Sequence, residues 1–202
     1  MQKDMEELVK LLSFASKNNT IDVAKKLFSR FNGLNEILSA DIYELEELTE
    51  SSKVAMLIKL CAELWSRSIT DGFSFGAQHS LEEIQEYFKG LFFGFSDERV
   101  YMMSIDVSDK VTGCDLVGEG TVNAAGVIPR QILEVALRNK ARKVILAHNH
   151  PNGDVSASDD DLNMTHMLYK LLSVSGIELI EHYVVSLDKC RGIITKGKEC
   201  FV

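Results

Sequence analysis

The spacing of apolar residues changes once along this chain, and the change divides it into two kinds of structure. Between residues 4 and 70 apolar side chains recur three and four positions apart, as in Leu8-Leu11-Leu12, Val23-Leu27-Phe31, Ile37-Leu38, Leu45-Leu48 and Val54-Leu57-Ile58-Cys61-Leu64-Trp65. That period lines one face of a helix, so this part is expected to be a small all-α domain, residues 1–72. Thr20 and Ser51 are placed to cap helix starts, and Asn32-Gly33 to supply a left-handed helix end. Residues 70–80, with Gly72, Gly76 and alternating Ser and Phe, have no clear period and read as a linker. Ser80 followed by Glu83 then forms a capping box that opens a helix to about Lys89.

From Arg99 the pattern turns to short strands. Val100–Val107 and Cys114–Gly120 flank a turn around Asp109 to Gly113. Pro129 suits the first turn of a helix whose apolar stripe is Ile132, Leu133, Ala136 and Leu137. Lys143–His150 reads as a buried strand ending in VILAHNH, Pro151 to Ala157 as a polar loop, and Ser158 to about Val174 as an amphipathic helix. Ile177–Val185 and Arg191–Lys196 are expected to be the last strands. This order predicts an α/β fold over residues 80–202, a mixed sheet flanked by helices.

Composition narrows the function classes. A hydrophobic content of 46% is enough for a packed core. Cys61, Cys114, Cys190 and Cys200 show no Cys-x-x-Cys spacing, which points to free thiols in a reducing compartment. No apolar run approaches the roughly 20 residues of a membrane span, and the charged N-terminus has no signal core, so a cytoplasmic protein is expected. The net charge of −8 is spread as −3 over residues 1–80 and −5 over the rest. Neither part is basic, which argues against a surface devoted to nucleic-acid phosphates.

The chemistry concentrates around residues 148–161. Side chains two apart on a strand face the same side, so His148 and His150 project together while Asn149 points away. Pro151 stops the strand, the loop reverses the chain, and Ser158 caps a helix whose first turn holds Asp161. Two imidazoles and one carboxylate leave a fourth tetrahedral position open, the pattern of catalytic zinc, which acidifies a water and polarises a carbonyl. Asp161 also suits a first helical turn electrostatically, so capping and ligation coexist. His166 and His182 read as a surface or core histidine each, and His79 lies in the linker without a partner. A proton acceptor is also needed, and spacing leaves Glu98, Glu119 and Glu134 as candidates.

His148-Asn-His150-Pro151, six residues, then Ser158-x-x-Asp161 resembles the His-x-His-Pro…Ser-x-x-Asp core of the JAMM (MPN-plus) metalloproteases. The longer stretch GTVNAAGVIPRQILEVALRNKARKVILAHNHPNGD is similar to the RadC branch of that superfamily, the UPF0758 type, over about Ser80 to Val185. The resemblance implies a cytidine-deaminase-like sheet, zinc on His148, His150 and Asp161, and a Ser158 hydroxyl that donates to the oxyanion of a tetrahedral intermediate. It also implies that Glu98, eight residues before Asp106, is the general acid/base. The family's His-Pro-Ser-Gly-Asp loop here reads His150-Pro151-Asn152-Gly153-Asp154, a change that a tight turn tolerates.

A larger departure lies near the N-terminus. RadC-like proteins resemble helix-hairpin-helix proteins there, with a Gly-x-Gly hairpin whose amides approach phosphate. The corresponding stretch, Leu48-Thr49-Glu50-Ser51-Ser52-Lys53-Val54-Ala55, has neither glycine and carries a glutamate. The expectation is a zinc hydrolase of peptide or isopeptide bonds with weak nucleic-acid binding. Its rivals are a DNA-associated binding module, suggested by the family's traditional link with DNA repair, and a scaffold with a vestigial site.

Overall fold

Five helices come first in the computed structural model, which describes residues 2–16, 19–120, 129–151 and 153–194. They are α1 (Gln2–Ala15), α2 (Thr20–Arg30), α3 (Leu34–Ser39), α4 (Ile42–Thr49) and α5 (Ser52–Thr70). Their apolar stripes meet in one core built around Leu8, Leu12, Leu27, Ile37, Leu45 and Ile58. Ser51 caps α5 as expected, its hydroxyl accepting from the Val54 amide. Thr20 does not cap α2; it is the first helical residue, and left-handed Asn19 precedes it. Nor do Asn32-Gly33 form a left-handed end. The next helix begins at once, so Gly33 is its extended N-cap and Asn32 binds the Glu36 carboxylate. The left-handed residue falls instead at Glu50, with φ 53°, between α4 and α5.

The capping box of Ser80 and Glu83 opens α6 (Leu81–Phe92), which runs three residues past Lys89. There follow β1 (Arg99–Ile105), β2 (Val111–Glu119), α7 (Pro129–Arg138), β3 (Lys143–Asn149), α8 (Asp159–Val174), β4 (Glu178–Ser186) and β5 (Lys189–Gly192). The strands form one mixed five-stranded sheet in the order β2-β1-β3-β4-β5. β3 lies at its centre, antiparallel to β1 and parallel to β4, with α8 as the crossover between the parallel pair. Alternation sorts the side chains: Met102, Val144 and Leu146 pack with α7 and α8, while Met103, Ile145 and Ala147 pack with α6 on the other face.

The hairpin turn occupies Asp106 to Lys110 rather than Asp109 to Gly113, because the Asp106 carboxylate accepts from the Ser108 and Lys110 amides and closes the turn early. Residues Val111 to Gly113 are already strand. Leu137 is 57% exposed, and the α7 stripe is Ile132, Val135 and Ala136. β5 begins at Lys189, two residues before the expected start, and the expected end at Lys196 lies outside the described residues. Cys61, Cys114 and Cys190 are free thiols, and Cys200 also lies outside. No described helix is long and apolar enough to cross a membrane.

Residues 70–80 do more than connect. The Gly76 amide donates to Val111 O, and the Val111 amide donates to Ala77 O. Phe73 stacks on His79 and meets Tyr87 of α6. Helix α5 lies directly on α6, where a Cβ at Gly90 would stand 2.7 Å from Ile69 Cγ2. Gly90→Ala should therefore destabilise the protein: the helix-propensity gain of about 1 kcal/mol is outweighed by overpacking of about 1–3 kcal/mol. Urea unfolding checks this, and a raised midpoint would show that Ile69 moves aside freely.

Candidate metal centre

The central strand ends where three hydrogen-bond systems meet. The His150 amide still donates to Val185 O, so β3 and β4 remain paired to the strand's last residues. Asn149 faces away from the histidines; its side chain accepts from the Arg99 amide and donates to Asp97 O. His148 is consequently fixed on the α8 side, with His150 following it. This is the carboxyl end of a parallel pair, where open α/β sheets commonly place ligands.

Helix α8 brings the carboxylate. Ser158 caps it, accepting from the Asp161 amide at 3.1 Å, while Asp161 Oδ2 accepts from the Ser158 amide at 2.8 Å and from its hydroxyl at 2.7 Å. This reciprocal box turns Asp161 inward, where its side chain is 1% exposed. Asp161 Oδ1 lies 3.2 Å from His148 Nε2, and Oδ2 lies 3.6 Å from His150 Nε2. The two Nε2 atoms are 3.1 Å apart. One ligand atom from each residue falls within 4.8 Å of the others.

Proton placement decides what this cluster can accept. His150 Nδ1 lies 3.1 Å from Asp154 O, and a carbonyl only accepts, so a neutral His150 carries its proton on Nδ1 and offers a lone pair at Nε2. Asp161 Oδ1 is buried with no hydrogen-bond partner, its contact with His148 lacking hydrogen-bond geometry. An orphaned buried carboxylate oxygen is costly unless a cation meets it. The donor set therefore fits a metal ion, which His148, His150 and Asp161 would hold.

The electrostatics agree. The adjacent Asp161 carboxylate holds His150 above the usual imidazole value of 6.5, against the opposing effect of burial, and the Glu98 carboxylate adds to the rise. Burial alone would raise Asp161, but the imidazoles of His148 and His150 and the Ser158 hydroxyl hold it far below the usual carboxylate range. Burial pushes His182 well below the usual imidazole value.

The three candidate glutamates are placed differently. Val100 pairs with His148 at the start of the β1–β3 register, and Glu98 stands two residues earlier, just before β1 begins. It is partly buried, and its charge reaches His150. Glu119 is turned outward, its side chain 62% exposed near Arg99. Glu134 is on α7, bonded to Arg130 at 2.7 Å.

Sequence reasoning assigned His182 no role, yet its Nε2 lies 2.8 Å from His148 Nδ1. Its own Nδ1 lies 2.6 Å from Thr165 Oγ1. The signal was hidden by a β-bulge. Val144 pairs with Leu179 but Ile145 pairs with Glu181, and the extra residue, Ile180, reverses the alternation so that His182 joins the α8 face.

Residues 78–197 match the model of the RadC-like JAB domain. The chain belongs to the RadC family. It is 30% identical over 199 residues to a UPF0758 protein of Paraburkholderia xenovorans, covering 96% of this chain and 78% of the relative. It is 27% identical over 174 residues to one of Chlorobium phaeovibrioides, covering 84% and 76%. His148, His150 and Asp161 thus converge within the JAB domain of this family.

The shifts fix a pH dependence. His150, raised above 6.5, contributes stability that is fully present below that pH and is lost as pH rises through its folded value. His182, lowered below 6.5, acts oppositely: the unfolded chain binds its proton first, so stability falls as pH drops below 6.5. Metal-free protein should be less stable at pH 8 than at 6.5, whereas metal affinity should rise over that interval as the proton leaves His150. Thermal melts with chelator and with zinc check both signs; parallel curves would contradict them.

Proposed function

We propose that this chain is a zinc-dependent hydrolase of the JAMM type, acting on peptide or isopeptide bonds in the cytoplasm. The observation that carries the reading is the convergence of two imidazoles and a buried carboxylate, with the charge of Glu98 reaching His150. Zinc held there would acidify a water and polarise the scissile carbonyl. Glu98 takes the proton from the attacking water and returns it to the leaving nitrogen, a role open to a carboxylate near the site that is not itself needed as a ligand. Ser158 first holds Asp161 in place; its O–H turns from Asp161 Oδ2 toward the oxyanion when substrate is bound.

Room for a substrate exists beside these groups. A cleft of about 300 Å³ is lined by Ala157, Leu162, Val184 and Arg191 among others, residues adjoining Ser158, Asp161 and the His148 pairing position. The chain is read as two domains, 1–72 and 80–202, with hydrolysis in the second. Nucleic acid is read as a weak partner. At the hairpin between α4 and α5 the left-handed position is Glu50, whose carboxylate is paired with Lys26.

A panel of peptide and isopeptide substrates tests the reading. Glu98→Gln should keep its metal and lose about 10²–10⁴-fold in turnover. Ser158→Ala should lose turnover and also about 1 kcal/mol of stability with its cap. Full activity in Glu98→Gln would overturn the assignment. Duplex DNA should bind weakly and lose affinity steeply with salt; submicromolar affinity at physiological salt, mapped to residues 1–70, would contradict the domain reading.

A further inference from the structure

We infer that His182, with Thr165 behind it, is a positioning residue that sets which nitrogen of His148 carries its proton and so leaves Nε2 free for the metal. The inference rests on His148 as a ligand, but it adds residues outside the ligand set.

The direction of the relay follows from its far end. Thr165 Oγ1 lies 2.6 Å from the Asp161 carbonyl oxygen and 2.6 Å from His182 Nδ1. The hydroxyl has one proton. A carbonyl oxygen cannot donate, and two oxygens at that distance without a proton between them repel, so the Thr165 proton points to Asp161 O. Thr165 Oγ1 then meets His182 with a lone pair and accepts from Nδ1–H.

A neutral imidazole has one N–H, so His182 Nε2 is an acceptor. Burial, at 3% exposure, favours the neutral form. His148 Nδ1, 2.8 Å away, must therefore donate to it. In the neutral ring, the form that binds metal, this leaves His148 Nε2 unprotonated, facing Asp161 Oδ1 and His150 Nε2. A neutral imidazole free in water prefers its proton on Nε2, the form that cannot bind metal there, and the hydrogen bond at the other nitrogen selects the tautomer.

The relay also closes on itself. It starts at one proposed ligand, His148, and ends on the main chain of another, Asp161, so strand β3 and helix α8 are tied through β4. Its members are buried, His148 and Thr165 at 0% and His182 at 3% exposure, which leaves little room for water to substitute. The β-bulge at Ile180 gives the arrangement its specificity: regular pairing onward from Leu179, with no bulge, would put His182 opposite Ala147 on the α6 face.

The test uses metal-free full-length protein labelled with ¹⁵N at histidine. Imidazole nitrogen shifts of the wild type should show His148 and His182 both protonated on Nδ1. Zinc affinity, measured against a competing chelator, should fall about 10–100-fold in His182→Leu. His182→Gln, whose amide oxygen reaches the place of Nε2, should restore most of it. Thr165→Val should leave His182 and His148 in mixed tautomers. A wild-type His148 protonated on Nε2 would overturn the inference, as would a folded His182→Leu that binds zinc like the wild type. If His182→Leu does not fold, the wild-type shifts and Thr165→Val still decide. None of these readouts needs a substrate, so failure of the proposed hydrolysis is distinguishable from failure of the relay.

Discussion

Two imine nitrogens and a carboxylate directed at one another in a buried place repel unless a positive charge lies between them, and much of the sheet domain serves to hold that arrangement. Strand β3 provides the two imidazoles because its period is two, and Asn149 between them is anchored on the opposite side. Helix α8 provides the carboxylate because Ser158 and Asp161 cap each other. Apolar packing of Leu146, Leu168 and Leu172 keeps strand and helix together despite the local repulsion.

The N-terminal helices bear on the same region through the segment before β1. Trp65 lies against Phe93 with ring centroids 4.2 Å apart. Lys59 donates to Leu38 O, Ala40 O and Gly94 O, so one ammonium joins α3, α5 and the turn after α6. Burial lowers the pKa of that ammonium, although Asp41 opposes the shift. Arg99 then packs over the Phe95 ring at 4.0 Å. The stretch that leads to Glu98 is thereby held from both sides, which gives the helical part a structural consequence for the site that does not depend on binding nucleic acid.

How much of this was legible in the sequence follows from the range of each interaction. The His148, His150 and Asp161 cluster depends on strand alternation, a proline stop and a capping box, all local, and the structure brings these residues together as their spacing implied. The choice of Glu98 over Glu119 and Glu134 turns on long-range placement that spacing leaves open, and in the sequence only the family resemblance points to it. His182 was passed over because alternation misassigns its face until the bulge at Ile180 is known. Asn32-Gly33 looked like a helix end because the composition suits one, whereas the close succession of α2 and α3 required an extended N-cap. Residues 121–128, within the stretch that carries the resemblance, lie outside the described residues.

The central claim is that the cluster of His148, His150 and Asp161 is built for a cation. Elemental analysis of protein purified without added metal or chelator tests it most directly. The account predicts about one zinc per chain, lost when His148 and Asp161 are both replaced by Ala in a protein that remains folded. Stoichiometric zinc retained by that folded double variant would contradict it.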